Sequence, residues 1–203
     1  MTQPTPAADP LVVIAGPTGD LGHRIARYLK QRGAAVRALV RPSSNPKVVA
    51  ELRGLGVDVQ EVDYANPAAL TLACAGAACV VSALSGLRPV IVDTQTALLD
   101  AAVAARVLRF IPSDFCIDFT RLRPGTNRNL DFRREFGERL DRAPIGATSI
   151  LNGMFADLLI GPAPVVLFPL RRVLYWGRAD QPLDFTTIDN TAAFTAAAAL
   201  DPT

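Results

Sequence analysis

Three glycines near the start of the chain, Gly16, Gly19 and Gly22, stand between an apolar run at residues 12–15 and a segment with helical periodicity. In a strand-to-helix turn, one glycine permits a tight exit, one lets a pyrophosphate approach, and one lets the helix pack on the strand. The helix N-terminus offers N–H groups and a partial positive charge to phosphates. The spacing predicts a dinucleotide site; the alternative is a tight turn without a ligand.

The residues after the second predicted strand indicate which dinucleotide is preferred. An NAD site needs a carboxylate for the ribose 2′-hydroxyl, whereas an NADP site needs cations for the 2′-phosphate. No acidic residue lies between positions 20 and 51, and this stretch includes RPSSNPK, with Arg41, Ser43 and the next serine, and Lys47. The pattern predicts NADP(H) over NAD(H); the alternative is a solvated basic loop. Asp63, which ends the third predicted strand, either contacts the adenine side or leads the next helix.

Apolar runs of strand length alternate with segments of helical period over the first 151 residues. The predicted strands are 11–15, 36–40, 57–62, 79–83, 107–111 and 147–151, and the predicted helices are 21–32, 47–53, 68–75, 90–105 and 130–140. This alternation predicts an α/β protein with a doubly wound parallel sheet, a Rossmann fold. Asn45 and Asn66 each precede a proline, as helix caps do, and Gly33, Gly54 and Gly76 are predicted to end helices.

The pattern changes after residue 151 to a proline- and glycine-rich stretch. We therefore divide the chain into a flexible N-terminus at 1–10, a nucleotide-binding domain at 11–151 and a further region at 152–203. A short strand is expected at 183–188, followed by a helix capped by Asp189 and running through Leu200. That helix is apolar on nearly all sides, so it either packs on the sheet or needs further sequence to cover it.

Composition excludes several classes of protein. The formal charge of +2 is spread along the chain, which argues against direct nucleic-acid binding. No signal peptide or apolar run of membrane-span length occurs, which favours a cytoplasmic protein without a membrane anchor. The cysteines Cys74, Cys79 and Cys116 form no metal-binding spacing and are predicted to be free buried thiols. With His23 as the single histidine, no metal site is expected.

The chain resembles the NmrA-like and isoflavone-reductase-like branch of the atypical short-chain dehydrogenases over roughly residues 10 to 200. The resemblance rests on four pieces in order: GPTGDLG at 16–22, the Arg41 loop, VVSALSG at 80–86 and RFIPSDF at 109–115. It implies that cofactor contacts come from three segments: Thr18, Asp20 and Leu21 in the turn, Ser82, Ala83 and Leu84 under the nicotinamide ribose, and Pro112 and Ser113 facing the nicotinamide. It also implies that residues 152–203 form a partial, shortened substrate-side region whose pocket includes Asn152 and Phe155. Phe115, Phe119 and Trp176 either line that pocket or belong to the apolar core.

Isoflavone-type reductases use a lysine in the helix after the Pro-Ser-acid run, and typical short-chain dehydrogenases use a Tyr-x-x-x-Lys pair. The only lysines here are Lys30 and Lys47, so neither arrangement occurs after residue 47. The catalytic group is therefore unknown, with Asp114 and Arg133 as candidates. The resemblance implies either an NADPH-dependent reductase of small quinone-like or conjugated molecules or a non-enzymatic NADP(H) sensor that acts through a regulatory protein partner. The oligomeric state stays open.

Overall fold

A computed structural model describes residues 9–159, 165–175 and 177–202. Six parallel strands form one sheet in the order β3-β2-β1-β4-β5-β6. Their bounds are β1 Leu11–Ala15, β2 Ala35–Val40, β3 Asp58–Glu61, β4 Cys79–Ser82, β5 Arg109–Ile111 and β6 Gly146–Ala147. The order reverses between β1 and β4, where such sheets leave a crevice at the carboxyl ends of the strands. The predicted doubly wound α/β fold is confirmed.

Six α-helices cover the sheet within the described residues. They are α1 Asp20–Gln31, α2 Pro46–Gly54, α3 Pro67–Cys74, α4 Gln95–Ala104, α5 Arg128–Leu140 and α6 Ile188–Leu200. Short 3₁₀ turns occur at Phe119–Arg121, Ala156–Leu159 and Phe168–Leu170. The bounds of α1 to α3 and α5 agree with the predicted helices to within two residues.

The sheet has an apolar layer on each face because successive side chains of a strand point in opposite directions. Along β1, Val12 and Ile14 pack with α1 and α6, whereas Val13 and Ala15 pack with α3, α4 and α5. All four side chains are 0% exposed. The two layers fix β1 as the central strand and hold its carboxyl end at the crevice.

Local capping signals explain where several helices start. The side chains of Asn45 and Asn66 accept the N–H groups of Lys47 and Ala69, so both predicted caps are confirmed. The predicted stop at Gly54 is wrong, because that residue is the last of α2. The left-handed backbone that closes this helix falls at Gly56, with φ +74°, since the chain needs one more turn before it enters β3.

The segment before α4 also departs from the prediction of one continuous helix at 90–105. Residues Pro89–Thr94 form a π-helical turn, and α4 begins only at Gln95. The hydroxyl of Thr94 donates to the carbonyl oxygen of Pro89, five residues back, at 2.9 Å. This hydrogen bond from the Thr94 side chain fits the wider π-helical turn and is a physical reason for it. The apolar periodicity of the sequence does not reveal such a turn.

In the part of the region after β6 that the structure describes, the strand pairings are each two residues long. Met154–Phe155 (β7) pairs with Phe185–Thr186 (β10) in parallel, and Val166–Leu167 (β8) pairs with Arg172–Val173 (β9) in antiparallel. The predicted strands 147–151 and 183–188 are therefore too long, because most of their residues lack a neighbouring strand to pair with. The predicted flexible stretch at 1–10 lies largely outside the described residues, as does Trp176.

Helix α6 packs on α1 and along β4. Ala192, Ala196 and Ala199 are buried in the same apolar layer as α1, so this helix covers the sheet although it follows the irregular region. The prediction that Asp189 caps α6 is wrong. Thr187 is the cap and accepts the Asn190 N–H at 3.0 Å, because its extended backbone places it one residue before the first helical turn.

The three cysteines differ in burial. Cys74 and Cys79 are buried free thiols, as predicted, but Cys116 is partly exposed, because it lies in the irregular segment after β5 and not on a strand. Among the described residues, no helix combines the length and apolar character needed to cross a bilayer.

Candidate functional site

The glycine turn depends on close backbone contacts. Gly16 adopts φ +78°, and a Cβ there would lie 2.6 Å from the Ala83 carbonyl oxygen on the loop after β4. A Cβ at Gly22 would collide with the carbonyl oxygen of Gly16. Gly16 thus makes the tight exit from β1, and Gly22 brings α1 against the turn, so a side chain at either position would force the turn apart.

Gly19 is different because nothing in the protein requires it to lack a side chain. The nearest atom to a Cβ there would be the Gly16 carbonyl oxygen at 3.6 Å, an ordinary contact. Gly19 lines a cleft and is the N-cap residue of α1. A glycine at this position leaves the helix N-terminus open to a ligand, and the first-turn N–H groups of Asp20, Leu21 and Gly22 have no acceptor within the helix.

The cleft has a volume of about 340 Å³ and runs along the carboxyl ends of β2, β1 and β4. Its walls come from four segments: Gly16, Pro17, Thr18 and Gly19 from the turn; Leu39, Val40, Arg41 and Ser44 from the β2 end; Tyr64; and Ala83, Leu84, Ser85, Val90 and Thr94 from the β4 loop and the π-helical turn. No carboxylate is among these described lining residues. The cleft therefore favours an anionic ligand at the turn and at Arg41.

Only some of the residues that were predicted to bind a 2′-phosphate lie in the cleft. Arg41 and Ser44 line the cleft, and their backbone and hydroxyl groups close a tight turn: the Arg41 N–H donates to Ser44 Oγ at 3.0 Å, and the Ser44 N–H donates to the Arg41 carbonyl oxygen at 2.9 Å. Ser43 and Lys47 are exposed and do not line the cleft. Ser44 faces inward because this turn brings it next to Arg41.

The end of β3 contributes Tyr64 to the cleft wall, which the sequence did not single out. The Asp63 carboxylate accepts the Ala65 N–H at 2.9 Å within its own turn. Tyr64 packs against the apolar layer, and its hydroxyl is buried without a hydrogen-bond partner in the described residues. Burial raises the pKa of the Tyr64 phenol above its usual range. A tyrosine at a strand end has no sequence signature that distinguishes a cleft residue from a core residue.

The segments after β4 and β5 meet at the far side of the cleft. Ala83 and Leu84 line it, whereas Ser82 is 0% exposed and its hydroxyl has no partner in the described residues. Ser113 is buried behind the wall, and its hydroxyl donates to the Leu84 carbonyl oxygen at 2.5 Å. The Pro112 carbonyl oxygen accepts the Asp114 N–H at 2.8 Å. The predicted nicotinamide segments are thus joined to each other.

Asp114 follows directly and is 2% exposed. Its Oδ2 accepts the Ser149 hydroxyl at 2.8 Å, and its Oδ1 has no partner in the described residues. Burial raises the pKa of Asp114 to about 6, against smaller opposing effects of Ser149 and the nearby positive charge of Arg133. Arg133 donates to the Asn129 carbonyl oxygen at 3.0 Å. A buried carboxyl that titrates near neutrality can exchange a proton, whereas a guanidinium stays charged.

The predicted substrate residues do not gather in one cavity. Phe115 is 7% exposed and belongs to the apolar layer under α6, where Phe155 also packs. Phe119 lines a separate crevice with Asp114 beside α5. Asn152 lines a cavity of about 530 Å³ between the end of β6 and α6, and its amide oxygen has no partner in the described residues. Among the described residues, the predicted substrate residues therefore line separate openings and not one enclosed pocket.

Solved structures with the same fold include several reductases. AtPrR2 in its apo form is 26% identical with a TM-score of 0.79, and the match covers 96% of this chain and 67% of that one. The NADPH-dependent quinone oxidoreductase QOR2 from Escherichia coli, solved with NADPH, is 24% identical with a TM-score of 0.78 and coverages of 95% and 65%. An isoflavone reductase is 23% identical with a TM-score of 0.75 and coverages of 96% and 67%.

This chain spans about two thirds of the length of these proteins. No curated protein matches it in sequence. The model of the NmrA-like family nevertheless matches residues 8–203. The matched region includes the glycine turn, the six strands of the sheet and the segment joined through Ser113. The chain belongs to the NmrA-like family.

Proposed function

We propose that this protein binds NADP(H) in the cleft at the carboxyl ends of β2, β1 and β4 and uses NADPH to reduce a small quinone-like or conjugated molecule. The observation that carries the proposal is the pairing of the open α1 N-terminus at Gly19 with Arg41 across a cleft lined by no described carboxylate. Two anionic groups of one ligand match these two positions: a pyrophosphate at the helix and a 2′-phosphate at the guanidinium. QOR2 and AtPrR2, which share the fold, have been solved with NADPH and NADP+ respectively.

The cleft residues fit such a cofactor along its whole length. The N–H groups of the turn and α1, from Thr18 to Gly22, would bind the pyrophosphate. Arg41 and Ser44 would bind the 2′-phosphate, with Ser43 and Lys47 supplying the outer rim. The adenine side would lie near Asp63 and Tyr64. The nicotinamide half would lie over the β4 and β5 segments: Ser82, Ala83, Leu84, Pro112 and Ser113.

The bound cofactor supplies the hydride, so the protein must orient the acceptor and provide a proton. No lysine occurs after Lys47, and the α5 cations are arginines that do not release protons at neutral pH. Asp114 is the better proton source, because its buried carboxyl has a pKa of about 6 and keeps one oxygen free of partners in the described residues. Arg133 would then stabilise the carboxylate that remains. Phe115, Asn152 and Phe155 remain the proposed substrate-binding residues. The proposed nucleotide-binding domain is 11–151, and the proposed substrate-side region is 152–203.

A non-enzymatic NADP(H) sensor that acts through a protein partner is the second candidate. The absent lysine favours it, together with the exposed apolar residues beyond β6, of which Phe168 is 67% exposed and Leu170 is 65% exposed. Both functions share the cofactor site and differ only in whether an acceptor is reduced.

Calorimetric titration with NADPH and NADH, followed by NADPH consumption with a panel of quinones, tests the proposal. We expect NADPH to bind more tightly than NADH and to be oxidised by at least one quinone. Binding without turnover would move the assignment to the sensor, and no binding would refute both candidates.

Arg41→Glu tests the cofactor preference, because it places a carboxylate where the 2′-phosphate should lie. We expect NADPH affinity to fall about 100-fold, as for a lost charge-assisted phosphate contact plus repulsion, while NADH affinity holds. Arg53→Glu is the matched control, since it makes the same charge change at the other end of α2, outside the cleft. Equal NADPH affinity in the Arg41 and Arg53 variants would contradict the assignment.

A further inference from the structure

A buried glutamine lies behind the cleft, where the π-helical turn passes into α4. Gln95 is 0% exposed. Its Nε2 donates to the Ile91 carbonyl oxygen at 3.0 Å, and its Oε1 accepts the Ser113 N–H at 2.8 Å. The side chain therefore joins the π-helical turn to the segment after β5, with the donor and the acceptor of its amide both used.

Ser113 extends this connection to a third segment. Its hydroxyl donates to the Leu84 carbonyl oxygen at 2.5 Å, and the residue is 4% exposed. Three hydrogen bonds thus run from Ile91 through Gln95 and Ser113 to Leu84. We call Gln95 and Ser113 together the buried brace.

Each segment that the buried brace holds presents residues to the cleft. The π-helical turn presents Val90 and Thr94, and the β4 loop presents Ala83, Leu84 and Ser85. The other end of the cleft, at Arg41, Ser44 and Tyr64, has no hydrogen bond to the brace among those described. The brace therefore connects two wall segments of the cleft beyond β1, whereas the basic end is closed by the Arg41 turn.

The chemistry of this position favours an amide. Leaving the Ser113 N–H unsatisfied in a buried site costs more than the hydrogen bond itself contributes. An aliphatic side chain cannot accept from that N–H, and an ionised carboxylate cannot donate to the Ile91 carbonyl. A hydrogen-bonded polar group in an apolar layer specifies one arrangement of the segments it joins, and π-helical turns are frequent at functional sites.

We propose that Gln95 and Ser113 are positioning residues that shape the nicotinamide half of the cleft without affecting the adenosine 2′-phosphate half. This inference rests on the proposed function, because it assumes that NADP(H) is the ligand. It adds Gln95 as a positioning residue and gives Ser113, which lies behind the cleft wall, a role that acts through Leu84.

Calorimetry with two ligands separates the halves: NADPH, and 2′,5′-ADP, which contains only the adenosine and its phosphates. In Gln95→Met, which keeps the side-chain length and removes both hydrogen bonds, we expect NADPH affinity to fall about 10-fold or more. In Ser113→Ala we expect a fall of about 3-fold to 5-fold. In both variants 2′,5′-ADP affinity should stay within about twofold of wild type, because the Arg41 end is unchanged.

Thr96→Val is the matched control. It removes a hydroxyl that donates to the Val92 carbonyl of the π-helical turn at 2.7 Å and accepts from Arg139 on α5 at 3.0 Å, but Thr96 does not line the cleft and bonds to neither Ser113 nor Leu84. It should leave both affinities unchanged. If Gln95→Met fails to fold, Ser113→Ala, which removes one oxygen atom, carries the test.

The outcomes are distinct. Wild-type protein that binds neither ligand would overturn the proposed function and this inference with it. Wild-type binding of both ligands, with equal losses of both in the brace variants, would show a general structural role and overturn only this inference. Unchanged NADPH affinity in folded Ser113→Ala and Gln95→Met would overturn it as well.

Discussion

The strands up to Ile111 and the described residues between 148 and 187 bury their apolar side chains to very different extents. Val12, Val13, Ile14 and Ala15 are all 0% exposed, whereas Phe168 is 67% exposed, Leu170 is 65% exposed and Tyr175 is 60% exposed. The first region is enclosed by helices on both faces of a parallel sheet, and the second is held by two-residue pairings. The cleft at the carboxyl ends of β2, β1 and β4 therefore rests on a fully buried sheet, whereas the described part of the later region is held by few backbone pairings.

Two strained glycines allow a direct test of this difference, because each region has one in nearly the same situation. Gly16 has φ +78°, and its Cβ would lie 2.6 Å from a carbonyl oxygen; Gly153 has φ +74°, and its Cβ would lie 2.7 Å from the Asp184 carbonyl oxygen. Gly16→Ala should give the largest effect. We expect a loss of roughly 2–4 kcal/mol in the free energy of unfolding from the strained φ and the clash. NADPH binding should disappear, as measured by denaturation and calorimetry.

Gly153→Ala carries the same local strain but should affect only the later region. It should disturb the β7–β10 pairing, which the Met154 N–H makes with the Asp184 carbonyl at 2.9 Å. We expect NADPH affinity to persist, and hydrogen exchange to increase only near residues 153–155 and 184–186. A loss of NADPH binding equal to that of Gly16→Ala would show that the two regions are not independent.

Asp114→Asn tests the contact between the two regions, because Asp114 follows β5 and its partner Ser149 lies in the later region. The quantity to measure is the pH dependence of stability. Because burial raises the pKa of Asp114 to about 6, the folded state keeps the proton longer than the unfolded chain does. The wild-type protein therefore loses stability as the pH rises from about 4 through 6, by up to about 3 kcal/mol for this shift. The amide that replaces the carboxyl cannot ionise. The free energy of unfolding of the variant, measured by urea denaturation, should therefore rise relative to that of wild type as the pH increases over that interval.

Asp100→Asn is the control, because this carboxylate lies exposed on α4. A constant difference between wild type and Asp114→Asn from pH 4 to 7.5 would contradict the raised pKa. In the reductase assay Asp114→Asn should also lower kcat more than it changes KM for NADPH, as expected for a lost proton source.

Thr187→Ala examines how α6 is attached after the irregular segment. The hydroxyl of Thr187 accepts the Asn190 N–H at 3.0 Å. Its removal should lower the free energy of unfolding by about 1 kcal/mol, as N-cap losses do. Thr187→Ser keeps the oxygen and should stay close to wild type; equal destabilisation by both variants would show that the methyl group matters and not the cap.

Asp189→Asn should give the smallest effect. Asp189 accepts hydrogen bonds from Tyr28 at 2.5 Å, Arg27 at 2.8 Å and Arg24 at 3.1 Å, which join α6 to α1 at the surface. The Tyr28 bond first, and then Arg24, lower the pKa of Asp189. Its contribution is present above the unfolded pKa and is lost as the pH falls through the lower folded value. The thermal midpoint of the variant should lie slightly below wild type at pH 7, and the difference should vanish in strong acid and shrink in high salt.

The elements of the first region were predictable because their signals are local. Asn45 and Asn66 cap helices that begin with proline, and the glycine turn follows a strand whose residues are all apolar. Periodicity did not reveal the π-helical turn at 89–94, since the apolar pattern of a π-turn and an α-turn differ too little over six residues. Strand length after β6 was overestimated for another reason: an apolar run becomes a strand only where a partner strand is available.

The candidate site was predictable only in part. Gly16, Gly19, Arg41, Ala83 and Leu84 line the cleft as expected. Which residues of the basic loop face inward, and the presence of Tyr64, Val90 and Thr94, depend on how three loops meet, and no local pattern records that. Gln95 has the same limitation, because a polar residue on a predicted helix is ordinarily expected at the surface.

The sequence by itself determined the order of strands and helices up to β6, the caps of α2 and α3, and the position of the glycine turn at Gly16, Gly19 and Gly22. These depend on backbone geometry and periodicity within a few residues. The tertiary structure alone decided that Gly16 meets the carbonyl of Ala83, that Asp114 is buried beside Ser149, and that α6 completes the layer over α1. Those contacts join residues that are distant in the chain, so their energies arise only when the sheet brings the segments together.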